Sequence, residues 1–131
     1  KVFNKGNHSR DFTYVDDIVK GILFCSDEPA KPNQSWDPLS PDPSSSSAPF
    51  RVLNIGNGNR VDLENYISEI EKNLGIKAIK EYLPLQIGDV PHSLSDISKI
   101  NKEIGYKSTV SYTEGISNFI DWYKDYYEKG I

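Results

Sequence analysis

The sequence predicts an α/β domain, and three observations carry that prediction. Short runs of β-branched and aromatic residues alternate with longer stretches of helical period. Glycine stands just past two of those stretches and near the end of a third, and an acid or a serine stands just before each of them. With 131 residues, the chain has the length of one ordinary domain. Four short strands are few for a closed sheet.

Taken in order, residues 2–4 and 12–15 read as short strands around a Lys5-Gly6-Asn7 turn. Asp16 or Asp17 caps a helix to about Asp27, with Ile18, Val19, Ile22 and Leu23 on its buried face. Cys25 lies near that face and reads as a buried thiol rather than a nucleophile. Six of the eight prolines then fall between Pro29 and Pro49, among Ser35, Ser40 and the run Ser44 to Ser47. Such a stretch holds neither a helix nor a central strand, so residues 28–49 are expected to form a long mobile loop. A loop of that length is either an insertion without chemistry or a lid, and Trp36 is the residue able to dock on something.

Residues 51–56 read as a buried strand that ends on Gly56. Asp62 caps the next helix, in which Leu63, Tyr66, Ile67, Ile70 and Leu74 share a face, Val61 staples onto Tyr66 and Gly75 stops the run. Residues 77–83 alternate enough for another strand. Asp96 opens a short helix with Ile97, Ile100 and Ile104 on one side, ended by Gly105. Ser111 and Glu114 make a capping box for the last helix, whose stripe is Ile116, Phe119, Ile120, Tyr123 and Tyr127. Its aromatics, Trp122 and Tyr126 included, read as packing rather than a cofactor box.

Charge and composition remove several function classes. A net charge of -4 argues against broad binding to nucleic acid or anionic membrane. No apolar run approaches the ~20 residues that span a bilayer, and no signal peptide is evident, which points to a cytosolic domain. The single cysteine excludes an internal disulfide. With no Met, the chain reads as the back part of a longer protein or as one that has lost its N-terminus.

Among the motifs, Gly56-Asn57-Gly58-Asn59-Arg60-Val61 sits where a dinucleotide fingerprint would, and Glu81 follows at the spacing of a ribose acid. Val61 replaces the third glycine, and Asp62 puts a carboxylate where a pyrophosphate needs bare N–H groups, so no cofactor is expected there. His8 and His92 lie far apart without ligand spacing, and no metal site is expected. No nucleophile elbow or Walker loop is present, and nothing local marks Asp89 and Asp96 as a catalytic pair. Two segments carry more. In residues 9–18, Arg10 is the preferred clamp for a diphosphate, because its fork bonds two oxygens at once. In residues 85–91, bounded by Pro84 and Pro91, Gly88 allows close backbone approach and Asp89 suits a ribose diol.

Arg10-Asp11-Phe12-Thr13-Tyr14-Val15-Asp16-Asp17 and Gln86-Ile87-Gly88-Asp89-Val90-Pro91 together resemble the C-terminal region of nucleotide-sugar epimerases of the extended short-chain dehydrogenase/reductase type. Within that family the two segments resemble the UDP-glucuronate 4-epimerase branch. Supporting pieces follow in the family's order: residues 47–56, then Gly75-Ile76-Lys77-Ala78, Gly105-Tyr106-Lys107, Glu114-Gly115-Ile116 and Phe119-Ile120-Asp121-Trp122-Tyr123. The resemblance implies that residues 1–131 are the substrate-binding part of a longer enzyme, with Leu53 and Ile55 in a strand that joins its Rossmann sheet. It implies that Arg10 contacts the pyrophosphate and Asp89 the uridine ribose. Gln86 stands where galactose-type epimerases place a second phosphate-binding Arg.

The family's N-terminal Gly-x-x-Gly-x-x-Gly turn is missing, and none of the eight tyrosines has a lysine four places on. The chain is therefore expected to hold no catalytic residue and no NAD, which the resemblance assigns to the full-length enzyme. The implied partners are a UDP-sugar, the N-terminal Rossmann half of the same enzyme and, at most, a second copy in a homodimer. The implied setting is cytoplasmic synthesis of polysaccharide precursors. Two alternatives stay open: a fragment of a nucleotide-sugar 4,6-dehydratase or decarboxylase, and a non-catalytic nucleotide-sugar-binding module.

Overall fold

Helices provide most of the regular structure in the computed structural model, which describes residues 1–128. After a turn at Phe3–Gly6 come strand β1 (Ser9–Asp11), helix α1 (Val15–Asp27), strand β2 (Arg60–Asp62) and helices α2 (Leu63–Leu74), α3 (Ser98–Ile104) and α4 (Tyr112–Glu128). β1 and β2 pair antiparallel, with Ser9 opposite Asp62, Arg10 opposite Val61 and Asp11 opposite Arg60. The architecture is α/β.

The helices stop where their glycines require it. Gly75 and Gly105 both adopt left-handed φ of +69° at the ends of α2 and α3, where their amides reach back to Glu71 and Asn101. At the start of α4 the Glu114 amide donates to Ser111 Oγ at 3.2 Å, which is half of the expected capping box. α2 packs on α4. Val2, Val61, Ile100, Tyr106, Ile116 and Ile120 form the buried apolar core, a small one for this length.

Several segments depart from what their residues predict. Residues 2–4 and 12–15 form no strand: the first is a turn with left-handed Asn4 and Lys5, and β1 falls between them. α1 is capped from Tyr14 without a side-chain hydrogen bond, because the Asp17 carboxylate faces inward to another segment. Its apolar side is not covered. Val19, Ile22 and Leu23 stand about half exposed, while α1 packs through its smallest residue, Gly21, against Ile55 and Tyr106. The α4 stripe is likewise buried only at Ile116 and Ile120, leaving Phe119, Tyr123 and Tyr127 exposed.

Residues 51–56 and 77–83 also lack strand pairing beyond single bridges, Ser45 to Arg51 and Val2 to Tyr82. A strand is a two-sided arrangement, and within the described residues neither segment has a neighbouring edge to pair with along its length. Side chains hold residues 77–83 to α2 instead. Buried Glu71 accepts from Lys77 Nζ at 2.7 Å and the Ala78 amide at 3.0 Å, and Glu64 accepts from Lys80 and from the Tyr82 hydroxyl.

Residues 28–49 form no helix or strand. Asp42 organises their far end by accepting from Ser44 and Ser45, and these bonds hold its carboxyl down to about 2. Half-buried Trp36 donates to the Asp42 carbonyl at 3.3 Å, so it docks within its own loop.

Candidate functional site

The site is built by a second neighbour for β1. On the edge away from β2, residues 91–93 run parallel to it, with the Ser9 amide donating to the Pro91 carbonyl and the Ser93 amide to the Ser9 carbonyl. The preceding turn, 86–89, is closed by a bond from the Asp89 amide to the Gln86 carbonyl. Its third position is Gly88 with φ +85°, a conformation that favours glycine. Docking 91–93 on β1 therefore brings the 86–89 turn beside Arg10.

The result is an ion pair across 79 positions of sequence. Arg10 Nη2 lies 3.0 Å from Asp89 Oδ1, and both side chains are 30% exposed. Arg10 Nη1 donates to the Ser9 carbonyl at 2.9 Å and the Pro91 carbonyl at 2.8 Å, which fixes the plane of the guanidinium. His8, 7% exposed, places Nδ1 3.2 Å from Arg10 Nη2 and 3.6 Å from Asp89 Oδ2. Ser9 Oγ and His92 Nδ1 are 2.8 Å apart on the same edge. The structure thus unites Arg10 and Asp89. Gln86 lies in the same turn but is exposed, and its side chain makes no hydrogen bond among the described residues.

His8 and His92 lack ligand spacing in the sequence, yet the structure places both around Arg10 and Ser9. Their proximity to Arg10 in sequence (His8) and to Asp89 (His92) was the available signal. Two further carboxylates frame the site. Asp11 accepts the amides of Asn57, Gly58 and Ser95 at 3.0–3.2 Å, joining β1 to the glycine turn and to the segment after Asp89. Asp17, 1% exposed, accepts from Ser108 Oγ, the Thr109 hydroxyl and amide, and the Val110 amide. Burial disfavours its charge, but the bonds from Val110, Ser108 and Thr109 outweigh that and hold its carboxyl below the usual range.

The glycine turn does not suit NAD. The Asn57 and Gly58 amides that a dinucleotide would claim already serve Asp11, and a Cβ at Gly56 would lie 2.5 Å from Ser95 Cβ. Among the described residues no group of three His, Cys, Asp or Glu side chains is arranged to hold a metal ion. No helix among them is long and apolar enough to cross a membrane. A concavity of about 440 Å³, lined by Lys31, Arg51, Lys99 and Glu103 among others, lies at the Pro/Ser loop rather than beside Arg10.

No family model matches the chain. Among curated proteins it is 44% identical over 128 residues to Protein CapI of Staphylococcus aureus, covering 98% of this chain and 38% of that protein. It is 37% identical over 129 residues to the probable UDP-glucuronate 4-epimerase of Rhizobium meliloti, with the same two coverages. The chain thus spans under two fifths of the length of these relatives. Among solved structures, the UDP-glucuronic acid 4-epimerase of Bacillus cereus, bound to UDP-glucuronic acid and NAD, superposes with a TM-score of 0.73 at 29% identity, over 96% of this chain and 35% of that one. Proteins named as UDP-glucuronate 4-epimerases thus stand among both the relatives and the structural neighbours of this chain, which matches under two fifths of each.

Proposed function

We propose that residues 1–131 are the C-terminal, UDP-sugar-binding region of an NAD-dependent 4-epimerase of the UDP-glucuronate type. In this reading Arg10 binds the diphosphate, Asp89 the ribose diol, and Gln86 is the third substrate-binding residue. The cofactor and the Tyr/Lys chemistry belong to an N-terminal Rossmann half that carries NAD. Residues 51–56, with Leu53 and Ile55, pair with its sheet, and residues 28–49 are a mobile loop. The setting is cytoplasmic, and a homodimer is compatible with it.

The observation that carries this reading is the Arg10–Asp89 contact at 3.0 Å, in a chain whose relatives include a structure with bound UDP-glucuronic acid. A guanidinium and a carboxylate on one part-exposed edge offer one partner for each polar half of a uridine diphosphate. In the ligand-free chain the two neutralise each other. On binding, Asp89 turns to the ribose hydroxyls and releases Nη2 to phosphate, while the two carbonyls on Nη1 keep the guanidinium in place.

Calorimetry on the full-length protein tests this. Arg10→Ala should weaken UDP and UDP-glucuronate alike by about 1.5–3 kcal/mol, roughly 10- to 150-fold, because both ligands share the diphosphate. Unchanged affinity overturns the reading. The 131-residue chain alone should neither bind NAD nor turn over UDP-glucuronate.

A further inference from the structure

His8 is a buried imidazole with one nitrogen spoken for and the other alone. Nδ1 lies 3.2 Å from Arg10 Nη2, a donor in every state, so neutral His8 must accept there. Its proton then sits on Nε2, which is buried without a hydrogen-bond partner among the described residues. Leaving that N–H unpaired is a cost the fold bears at this position. The second neighbour of Nδ1 is Asp89 Oδ2 at 3.6 Å, too far for a good bond yet within ion-pair range. One nitrogen therefore faces a permanent cation and an anion, and its protonation decides which of the two it favours.

We infer that His8 is a positioning residue that couples UDP-sugar binding at Arg10 and Asp89 to uptake of a proton. This rests on the reading of that pair as the UDP-sugar site. Neutral His8 orients Arg10. Protonated His8 can no longer accept from Arg10; its Nδ1–H turns to Asp89, and the ring adds a positive charge beside the guanidinium. Both changes loosen the Arg10–Asp89 pair and favour an incoming diphosphate.

The charged groups that meet His8 are Arg10 on β1 and Asp89 in the 86–89 turn, while Glu64 of α2, with its partners Lys80 and Tyr82, stands against Gly6 two residues earlier. His92 joins through Ser9 and is the other imidazole on this edge. Across about pH 5 to 8 an imidazole is the kind of side chain whose charge can change.

UDP-glucose is the suitable probe, because its diphosphate diester does not titrate in that window. Its affinity for the full-length protein should rise on the order of tenfold from pH 8 to pH 5.5, the scale of one added charge beside the ligand. Binding at low pH should take up a proton, read from calorimetry in buffers of different ionisation enthalpy. His8→Asn presents an oxygen to Arg10 but cannot be protonated, so it should flatten the profile, whereas His92→Asn should leave it. Nitrogen-15 spectra should show His8 as the Nε2–H tautomer at pH 8, whether or not the variant folds. Binding that is independent of pH, a slope that moves with His92, or an Nδ1–H tautomer overturns the inference and leaves the UDP-sugar site standing. Absence of UDP-glucose binding at every pH overturns both.

Discussion

Asp17, in the first turn of α1, and Asp89, in the turn beside β1, each join residues distant in sequence, under opposite conditions. Asp17 is 1% exposed and is held by neutral donors of residues 108–110. Asp89 is 30% exposed and is met by a full positive charge. Several neutral donors in fixed backbone positions saturate a carboxylate and leave nothing for a ligand to gain. A single cation at a part-exposed position gives a contact worth little to stability, because water competes for both partners. The first arrangement makes a joint, the second an exchangeable contact. Arg10 has both characters: two carbonyls fix Nη1, and Nη2 faces the exchangeable partner.

The largest effect that sharpens this contrast is Asp17→Ala. It leaves the part-buried donors of Ser108, Thr109 and Val110 without their acceptor and should cost about 3 kcal/mol in denaturant unfolding, without any ligand involved. The pH dependence follows in sign. Because the folded-state carboxyl titrates below its ordinary value of 3.8, its stabilisation is complete above that value and is lost as pH falls through the lower, folded one. Asp17→Asn should therefore remove part of the acid sensitivity along with the stability. An unchanged acid midpoint would show that the joint does not depend on the charge.

Next in size is Gly56→Ala. Its methyl would stand 2.5 Å from Ser95 Cβ and 2.7 Å from Asp11 Oδ2, so the glycine turn and the Asp11 carboxylate must separate, at a cost of about 1–3 kcal/mol. Because Asp11 neighbours Arg10, UDP affinity should fall as well. A loss of stability with affinity intact would place Asp11 on the joint side only.

Asp89→Ala should change stability least, by about 1 kcal/mol or less, while weakening uridine nucleotides and sparing a bare sugar phosphate. A large loss in thermal unfolding would break the comparison, because Asp89 would then act as Asp17 does. Tyr106→Phe gives a scale for these values. It removes one buried hydrogen bond, from the hydroxyl to the Gly56 carbonyl at 2.9 Å, for about 1 kcal/mol.

The sequence by itself determined what depends on neighbours a few residues away. The three longer helices follow from apolar spacing, and the ends of α2 and α3 follow from Gly75 and Gly105, because helical bonds and caps close within one turn. The failure of 28–49 to form regular structure follows from its prolines for the same local reason. The tertiary structure alone decided which segments are strands, since 51–56 and 77–83 carry strand-like residues but find no edge along their length. It alone decided which helix faces are covered, leaving one side of α1 open although its pattern was legible. The resemblance named Arg10 and Asp89, but only the docking of 91–93 on β1 brought them together and added His8. Spacing along the chain does not encode distance between residues 79 apart; that distance is set by backbone hydrogen bonds that exist only once the chain has folded.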